Sequence, residues 1–180
     1  MRKQRSKLVV VPLGEVDFFQ INRLTSNLSA LFSIPSDILQ GMKLPKEAHN
    51  LIRNQYFSTV ILQKLELLKA SQREIILGVL EDDLYNAGSA YIMADSDRLG
   101  SCAVVSYYRI RQEFYGLPED ERLVFKRMFK ESARHVGRVL GLSLCRNPAC
   151  VMYFSNDMFD IDQKGEKLCD NCQRTYYKIR

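Results

Sequence analysis

Histidine is scarce in this sequence, with only His49 and His135 among its 180 residues. A zinc site built from three neutral imidazoles is therefore excluded, whatever helical register is chosen. No apolar run reaches the length of a membrane-spanning helix. The apolar run at residues 8–13 is too short, and too interrupted by proline, to be a signal peptide. Internal repeats and low-complexity segments are absent as well. We therefore expect a cytoplasmic protein without a membrane-spanning segment.

Size and charge narrow the class of protein further. At 180 residues and 46% apolar, the chain is long enough to bury one compact core and too short for two large domains. Its 26 basic and 21 acidic side chains give a formal charge of +5, a mild excess that suits an acidic partner or simply solubility. Neither an aromatic-basic RNA signature nor a basic recognition helix is present, so nucleic-acid binding is disfavoured.

Hydrophobic periodicity predicts strands that alternate with helices, which favours an α/β fold. Predicted strands cover residues 8–13, 38–44, 74–80, 91–94 and 103–108, and predicted helices cover residues 18–31, 54–68 and 119–140. Asp17 is the expected N-cap of the first helix. The lone Cys102 is expected to be a small buried thiol. The acidic run from Glu81 to Asp83 is interpreted as a solvated turn, with cation binding or acid-base chemistry as the alternative.

The remaining four cysteines lie close together near the C-terminus and form a C-x4-C pair and a C-x2-C pair: Cys145, Cys150, Cys169 and Cys172. In a reducing compartment, cysteines at this spacing are metal ligands rather than disulfides. Two such pairs supply the four thiolates that a structural zinc takes in a tetrahedral arrangement. A closed set of four ligands leaves no position for water, so this predicted zinc is structural. The alternative is four reduced core cysteines.

The same region carries a more specific pattern. A predicted helix with Gly141 near its end runs directly into C-x4-C-x-M, whose last residue is Met152, and CxxC follows further on. This arrangement resembles the archaemetzincins, metzincin-type zinc peptidases in which a helix with HExxHxxGxxH precedes the same cysteine motifs. Similar stretches occur along nearly the whole chain: residues 8–14, 48–50, 53–56, 77–79, 83–84, 103–106, Arg109 and residues 130–131.

The resemblance implies a metzincin-like fold. Its parts would be a mixed sheet with backing helices, a long active-site helix and a small C-terminal subdomain stapled by the four-cysteine zinc. We expect residues 1–144 to form the first unit and residues 145–180 the zinc-binding unit. Met152 matches the methionine that lies beneath the catalytic zinc in this family, and here it is expected only to pack.

On this helix, other residue types stand where the family has its catalytic histidines and glutamate. Aligned on Gly141, the four positions of the three histidines and the general-base glutamate are Arg134, His135, Arg138 and Leu144. A guanidinium is not deprotonated in proteins and does not ligate zinc. The resemblance therefore implies a degenerate site with no catalytic residues and no catalytic zinc.

The substituted helix predicts a cationic groove. Arg134, His135 and Arg138 are expected to face a cleft bordered by the strand at residues 91–94, and two guanidiniums there suit a carboxylate or phosphate, such as a peptide C-terminus or an acidic side chain. The alternative is that these residues only form salt bridges, for example between Glu131 and Arg134. We predict a catalytically inert archaemetzincin-like protein that carries one structural zinc and binds a peptide or protein.

Two other functions stay open. An active metallopeptidase with unusual ligands would need Glu131, His135 or the carboxylates of Asp82 and Asp83 to hold a second metal. A nucleic-acid-binding zinc module would combine the cysteine pairs with basic chain ends: Arg2, Lys3, Arg5, Lys7, Arg174, Lys178 and Arg180.

Overall fold

A computed structural model describes residues 6–179, in which nine strands and five helices are present. The strands are β1 (Lys7–Leu13), β2 (Ser36–Ile38), β3 (His49–Asn50), β4 (Gln55–Phe57), β5 (Glu74–Leu80), β6 (Leu84–Asn86), β7 (Ser89–Ile92), β8 (Ala94–Asp97) and β9 (Cys102–Ser106). The helices are α1 (Phe18–Phe32), α2 (Ser58–Glu66), α3 (Glu121–Val139), α4 (Met158–Gln163) and α5 (Asp170–Ile179). The predicted α/β fold is confirmed.

The main sheet has five strands in the order β2-β1-β5-β9-β8. Four of these strands are parallel, whereas β8 runs antiparallel to β9 at one edge. The central strand β5 is buried along its whole length, as expected for a near-continuous apolar run covered on both faces. The sheet is therefore mixed, as predicted.

Helices cover both faces of this sheet. Helices α1 and α3 pack on one face, against residues such as Val10 and Leu77, and α2 packs on the other. Asp17 caps α1 as predicted, because its carboxylate accepts a hydrogen bond from the N–H of Phe19. Helix α2 approaches β5 so closely that a Cβ on Gly78 would lie 2.8 Å from Leu65 Cδ1. This position therefore requires glycine.

Three predicted boundaries are wrong. Of the strand predicted at residues 38–44, only Ile38 lies in a strand, as the last residue of β2, and Met42 then forms a single bridge to Leu13. The helix predicted from residue 54 begins at Ser58, because the preceding residues form β4 in a second, four-stranded sheet. The strand predicted at residues 91–94 is divided at Met93, so that β7 belongs to the small sheet and β8 to the main one.

The C-terminal segment packs against the same core as α3. Val151, Met152 and Ile161 are fully buried in that core, and the Tyr176 hydroxyl of α5 donates a 2.8 Å hydrogen bond to the carbonyl of Phe32 at the end of α1. The sequence did not predict α4 or α5. Within residues 6–179, no helix has the length and apolar character needed to cross a membrane.

Candidate metal centre and the α3 site

Short irregular segments bring the four cysteines together. Cys145 follows the end of α3, and its N–H donates to the carbonyl of Met152. A turn between Asn147 and Cys150 closes the first cysteine pair. Cys169 immediately precedes α5, and Cys172 lies in its first turn. The predicted pairing of a C-x4-C segment with a C-x2-C segment is therefore what the fold produces.

The sulfur positions fit a zinc ion. All four Sγ atoms lie within 4.8 Å of one another, and those of Cys145 and Cys169 are 3.8 Å apart. Zn–S bonds of about 2.3 Å place two sulfurs of a tetrahedron about 3.8 Å apart. Backbone N–H groups donate to two of the sulfurs, from Asn147 to Cys145 and from Cys169 to Cys150. Such hydrogen bonds stabilise thiolates, so donor set, spacing and surroundings all suit zinc.

Burial and hydrogen bonding act differently on these thiols. Burial raises the pKa of Cys150 and of Cys172. The backbone N–H of Cys172 lowers the pKa of Cys169 to about 7, so this thiol ionises more readily than those of Cys150 and Cys172. The fifth cysteine, Cys102, is fully buried on the opposite side of the sheet, and burial raises its pKa to about 12. Cys102 is therefore an inert core thiol, as predicted.

A buried ionic cluster occupies the interior beside the second half of α3. Glu131 is 1% exposed and accepts hydrogen bonds from Ser155 Oγ at 2.7 Å and Lys164 Nζ at 2.6 Å. The guanidinium of Arg134 pairs with the same carboxylate along the helix. Lys164 is also bonded to Ser155, at 3.1 Å. One carboxylate thus joins α3 to the loop and the short helix that follow Met152.

Charge compensation keeps this cluster ionised. Burial alone would raise the pKa of Glu131, but the charges of Arg134 and Lys164 outweigh burial and hold that pKa well below its usual range. Burial lowers the pKa of Lys164 to about 8, against the opposing effect of Glu131. Arg134 is therefore not a free cation, and the salt bridge to Glu131 that the sequence allowed as an alternative is present.

His135 is buried against the edge strand of the main sheet. Its Nδ1 lies 2.9 Å from Ser96 Oγ on β8, and its Nε2 has no hydrogen-bond partner in the described part of the chain. Burial, followed by the charge of Arg134, lowers the pKa of His135 well below its usual value. The imidazole is therefore neutral near pH 7.

The remaining positions of the degenerate site lie apart from this cluster. Arg138 and Leu144 are both exposed, so the two arginines of the predicted groove are in different environments. Met152 is fully buried beneath α3, where a Cβ on Gly137 would lie 2.5 Å from its Sδ. The methionine thus packs directly against the helix backbone.

The α3 site does not fit a second zinc. Its donors are one neutral imidazole and one carboxylate already bonded to two cations, and a guanidinium stands at each of two family ligand positions. The acidic run does not supply the missing ligands, because Asp83 is held by two hydrogen bonds from Arg109 and one from Gln55. In residues 6–179 only the four cysteines converge as a metal-binding group.

Of the basic residues named for nucleic-acid binding, Arg174 lines the same surface depression as Cys145, Cys169 and Cys172. Lys7 pairs with Asp37 and Glu74 on the main sheet, whereas Arg174 and Lys178 lie on α5. Arg2, Lys3, Arg5 and Arg180 lie outside the described residues.

A long helix lies beside an antiparallel edge strand, and a buried methionine and four converging cysteines follow it. These features match the metzincin-like fold that the sequence resemblance implies. The chain belongs to Peptidase family M54, whose family model matches residues 21–178. It is 34% identical over 176 residues to an archaemetzincin of Pyrococcus furiosus, covering 94% of this chain and 92% of the relative.

Solved structures resemble this fold along almost its whole length. A zinc-dependent peptidase from Methanocorpusculum labreanum superposes with a TM-score of 0.85 at 25% identity, covering 94% of this chain and 99% of the other. Archaemetzincin from Archaeoglobus fulgidus, complexed with malonate, superposes with a TM-score of 0.79 at 30% identity, covering 93% and 98%. The predicted family and fold are confirmed.

Three residues of the α3 site were not found from the sequence. Lys164 and Ser155 bind Glu131, and Ser96 binds His135. Lys164 lies 33 positions from Glu131, and no local pattern links residues so far apart. The one indication in the sequence was Glu131 itself. A carboxylate on the buried face of a helix requires cationic or hydroxyl partners, so such partners could have been expected elsewhere in the chain.

Proposed function

We propose that this chain is an M54 family member that has lost the catalytic zinc and peptidase activity, keeps one structural zinc at its four cysteines, and binds peptide segments beside α3. The observation that carries the proposal is the Glu131 cluster. Arg134 stands at a family ligand position and is ion-paired to a carboxylate that is 1% exposed. A dication in this place would meet the guanidinium of Arg134 and the ammonium of Lys164.

The general base of the family is also replaced. His135 takes the glutamate position, and its Nδ1 is bonded to Ser96. A neutral imidazole without a polarising metal does not make water an effective nucleophile against a peptide bond. The four-thiolate site offers no open position for such a water either. The zinc therefore stabilises the fold, and the thiolates require a reducing compartment, which we propose is the cytoplasm.

Peptide binding is proposed at the edge of the main sheet. β8 pairs only with β9 in the described part of the chain, and an extended peptide adds to an edge strand through main-chain hydrogen bonds. His135 contacts β8, and Arg138 lies one helical turn further along α3. The side chain of Arg138 is exposed. We propose that Arg138 pairs with a carboxylate of the bound peptide, while Arg134 serves the fold.

Loss of activity is tested with zinc-saturated protein and a set of fluorogenic peptides. We expect no chelator-sensitive cleavage, and we expect His135→Ala to leave the zinc content unchanged. Cleavage that disappears on chelation and in His135→Ala would overturn this part of the proposal. Glu66→Gln, which removes an exposed charge on α2, is the matched control for handling of the variants.

Peptide binding is tested by fluorescence anisotropy with two labelled peptides that differ only in a free or an amidated C-terminus. The free carboxylate is expected to bind about fivefold more tightly, as an exposed ion pair contributes about 1 kcal/mol. Arg138→Gln should abolish that difference, and Arg122→Gln, an exposed arginine at the start of α3, should keep it. Equal affinities of both peptides for the unsubstituted chain would refute the role of Arg138.

A further inference from the structure

The four-cysteine site is open to solvent on one side. Cys145 and Cys169 are half-buried, and the contact between their sulfur atoms is only partly buried. Both residues border a surface depression of about 850 Å³, which a small solute can enter. Cys150, in contrast, is fully buried in the core beside Val151 and Met152. A solute in the depression therefore meets the face of the site that Cys145 and Cys169 form.

The two half-buried cysteines are also in contact with each other. The Sγ atoms of Cys145 and Cys169 are 3.8 Å apart, and a disulfide bond needs about 2 Å. Both cysteines lie in irregular segments, one after the end of α3 and the other before α5, where the backbone can adjust by this amount. Cys172 borders the same depression, but it is only 7% exposed and its backbone is fixed in the first turn of α5. Exposure and proximity therefore favour the same pair.

We propose that Cys145 and Cys169 are a redox modification site, at which a hydroperoxide converts two zinc-bound thiolates into a reversible disulfide and the chain releases its zinc. One thiolate attacks a peroxide oxygen, which gives a sulfenic acid and, after uptake of a proton, water. The second thiolate attacks the sulfenic sulfur, forms the S–S bond and displaces hydroxide, which a second proton converts into water. The two sulfurs lose the two electrons that reduce the peroxide, and Cys150 and Cys172 take up protons as thiols. This chemistry rests on the structural zinc of the proposed function.

The disulfide keeps the connection that zinc makes between the two cysteine segments. Cys145 and Cys169 are 24 positions apart and belong to different segments, so the bond closes a loop and stabilises the folded chain relative to the reduced, zinc-free one. A disulfide between Cys169 and Cys172 would leave the first segment unattached. The two remaining thiols, Cys150 and Cys172, are buried, so oxidation stops at one disulfide. In a reducing compartment such a bond is transient and suits redox sensing.

The proposal is tested by treating the zinc-loaded, full-length chain with excess hydrogen peroxide after its zinc content has been measured. A chromogenic chelator follows the release of zinc, and peptide mapping by mass spectrometry identifies the disulfide. We expect one zinc released for each disulfide formed, with Cys145 and Cys169 as the main pair. Dithiothreitol followed by zinc should restore the starting zinc content. The oxidised chain should melt about 5 °C above the reduced, zinc-free chain.

Two variants that each lose one zinc ligand make the test specific. Cys150→Ala keeps the proposed pair, and peroxide should still join Cys145 to Cys169. Cys145→Ala lacks the pair and should form little disulfide between the two segments, because the remaining cysteine of its segment, Cys150, is fully buried. Cys102→Ala removes the core thiol on the other side of the main sheet and should release zinc as the unsubstituted chain does.

Four results would overturn the proposed disulfide. Zinc could stay bound under peroxide, or the main product could be a Cys169–Cys172 disulfide or a sulfinic acid. Dithiothreitol could fail to reverse the reaction, or Cys145→Ala and Cys150→Ala could form equal amounts of disulfide between the two segments. A chain without zinc before peroxide is added overturns the proposed function and this chemistry with it, whereas one zinc retained under peroxide overturns only the disulfide.

Discussion

Replacing Glu131 by Gln should destabilise the protein more than any other conservative change on α3. Gln has nearly the same shape as Glu, so the substitution removes charge rather than volume. It leaves the guanidinium of Arg134 and the ammonium of Lys164 buried without their carboxylate. Lys164 has no exposed side-chain surface and Arg134 has 7%, so water cannot replace the lost partner.

The magnitude follows from the burial of all three groups. Removing one partner of a buried ion pair typically costs about 3–5 kcal/mol, because the other charge is left uncompensated. For a chain of this length, 1 kcal/mol corresponds to about 2–4 °C in melting temperature, so a fall of about 10 °C is expected. Adding Lys164→Met to the Glu131→Gln variant removes one buried cation that has lost its partner. Part of the lost free energy of unfolding should then be recovered.

Urea denaturation with zinc in excess measures the change directly. Glu66→Gln serves as the control, and its free energy of unfolding should lie within about 0.5 kcal/mol of the unsubstituted chain. A loss below about 1 kcal/mol in Glu131→Gln would refute the buried ionic cluster, since surface pairs contribute no more than that. If Lys164→Met recovers no stability in the double variant, the Lys164 ammonium is not left without a partner in Glu131→Gln.

Three further predictions concern the same half of the molecule. Burial lowers the pKa of His135 in the folded protein below its value in the unfolded chain, which is near 6.5. Below pH 6.5 the unfolded chain therefore binds a proton that the folded protein does not. The free energy of unfolding should then fall by up to about 1.4 kcal/mol for each pH unit of acidification. His135→Asn should lack this contribution between pH 6.5 and 5.5, and an unchanged slope in urea titrations would contradict it. Gly137→Ala should lower the free energy of unfolding by about 1–3 kcal/mol, because the new Cβ would clash with Met152. The control Gly88→Ala, at an exposed position, should change it by about 0.5 kcal/mol or less. Equal melting curves for the two variants would refute the close packing. Removing zinc with a chelator should lower the melting temperature of the whole chain, because Cys150 and Met152 share a core with α3, and calorimetry that shows an unchanged main transition would contradict this.

The sequence predicted the elements whose pattern is local. Val9 and Val10 lie in a β-branched run, Asp17 precedes a helical stripe, and the cysteine spacing defines a metal site, so each of these could be recognised from neighbouring residues. The strand at residues 38–44 was mispredicted because an apolar segment between two prolines resembles a strand, whereas the residues that pair with β1 as a strand are Ser36 to Ile38.

The α3 site could be predicted only in part. Guanidinium chemistry showed that Arg134 and Arg138 cannot serve as zinc ligands, but the sequence did not show where their side chains point. Arg134 turns inward because Lys164 and Ser155, distant in sequence, help to create a buried site for the Glu131 carboxylate. Arg138 stays exposed. Which of two similar arginines is structural depends on tertiary contacts that no local pattern encodes.

Zinc stoichiometry of the purified, zinc-saturated chain tests the central claim most directly. Elemental analysis against protein concentration should give one zinc per chain, lost when Cys150 and Cys172 are both replaced by Ser and retained in His135→Ala. Two zinc ions per chain, with the second lost in His135→Ala, would contradict the account and restore a catalytic metal to α3.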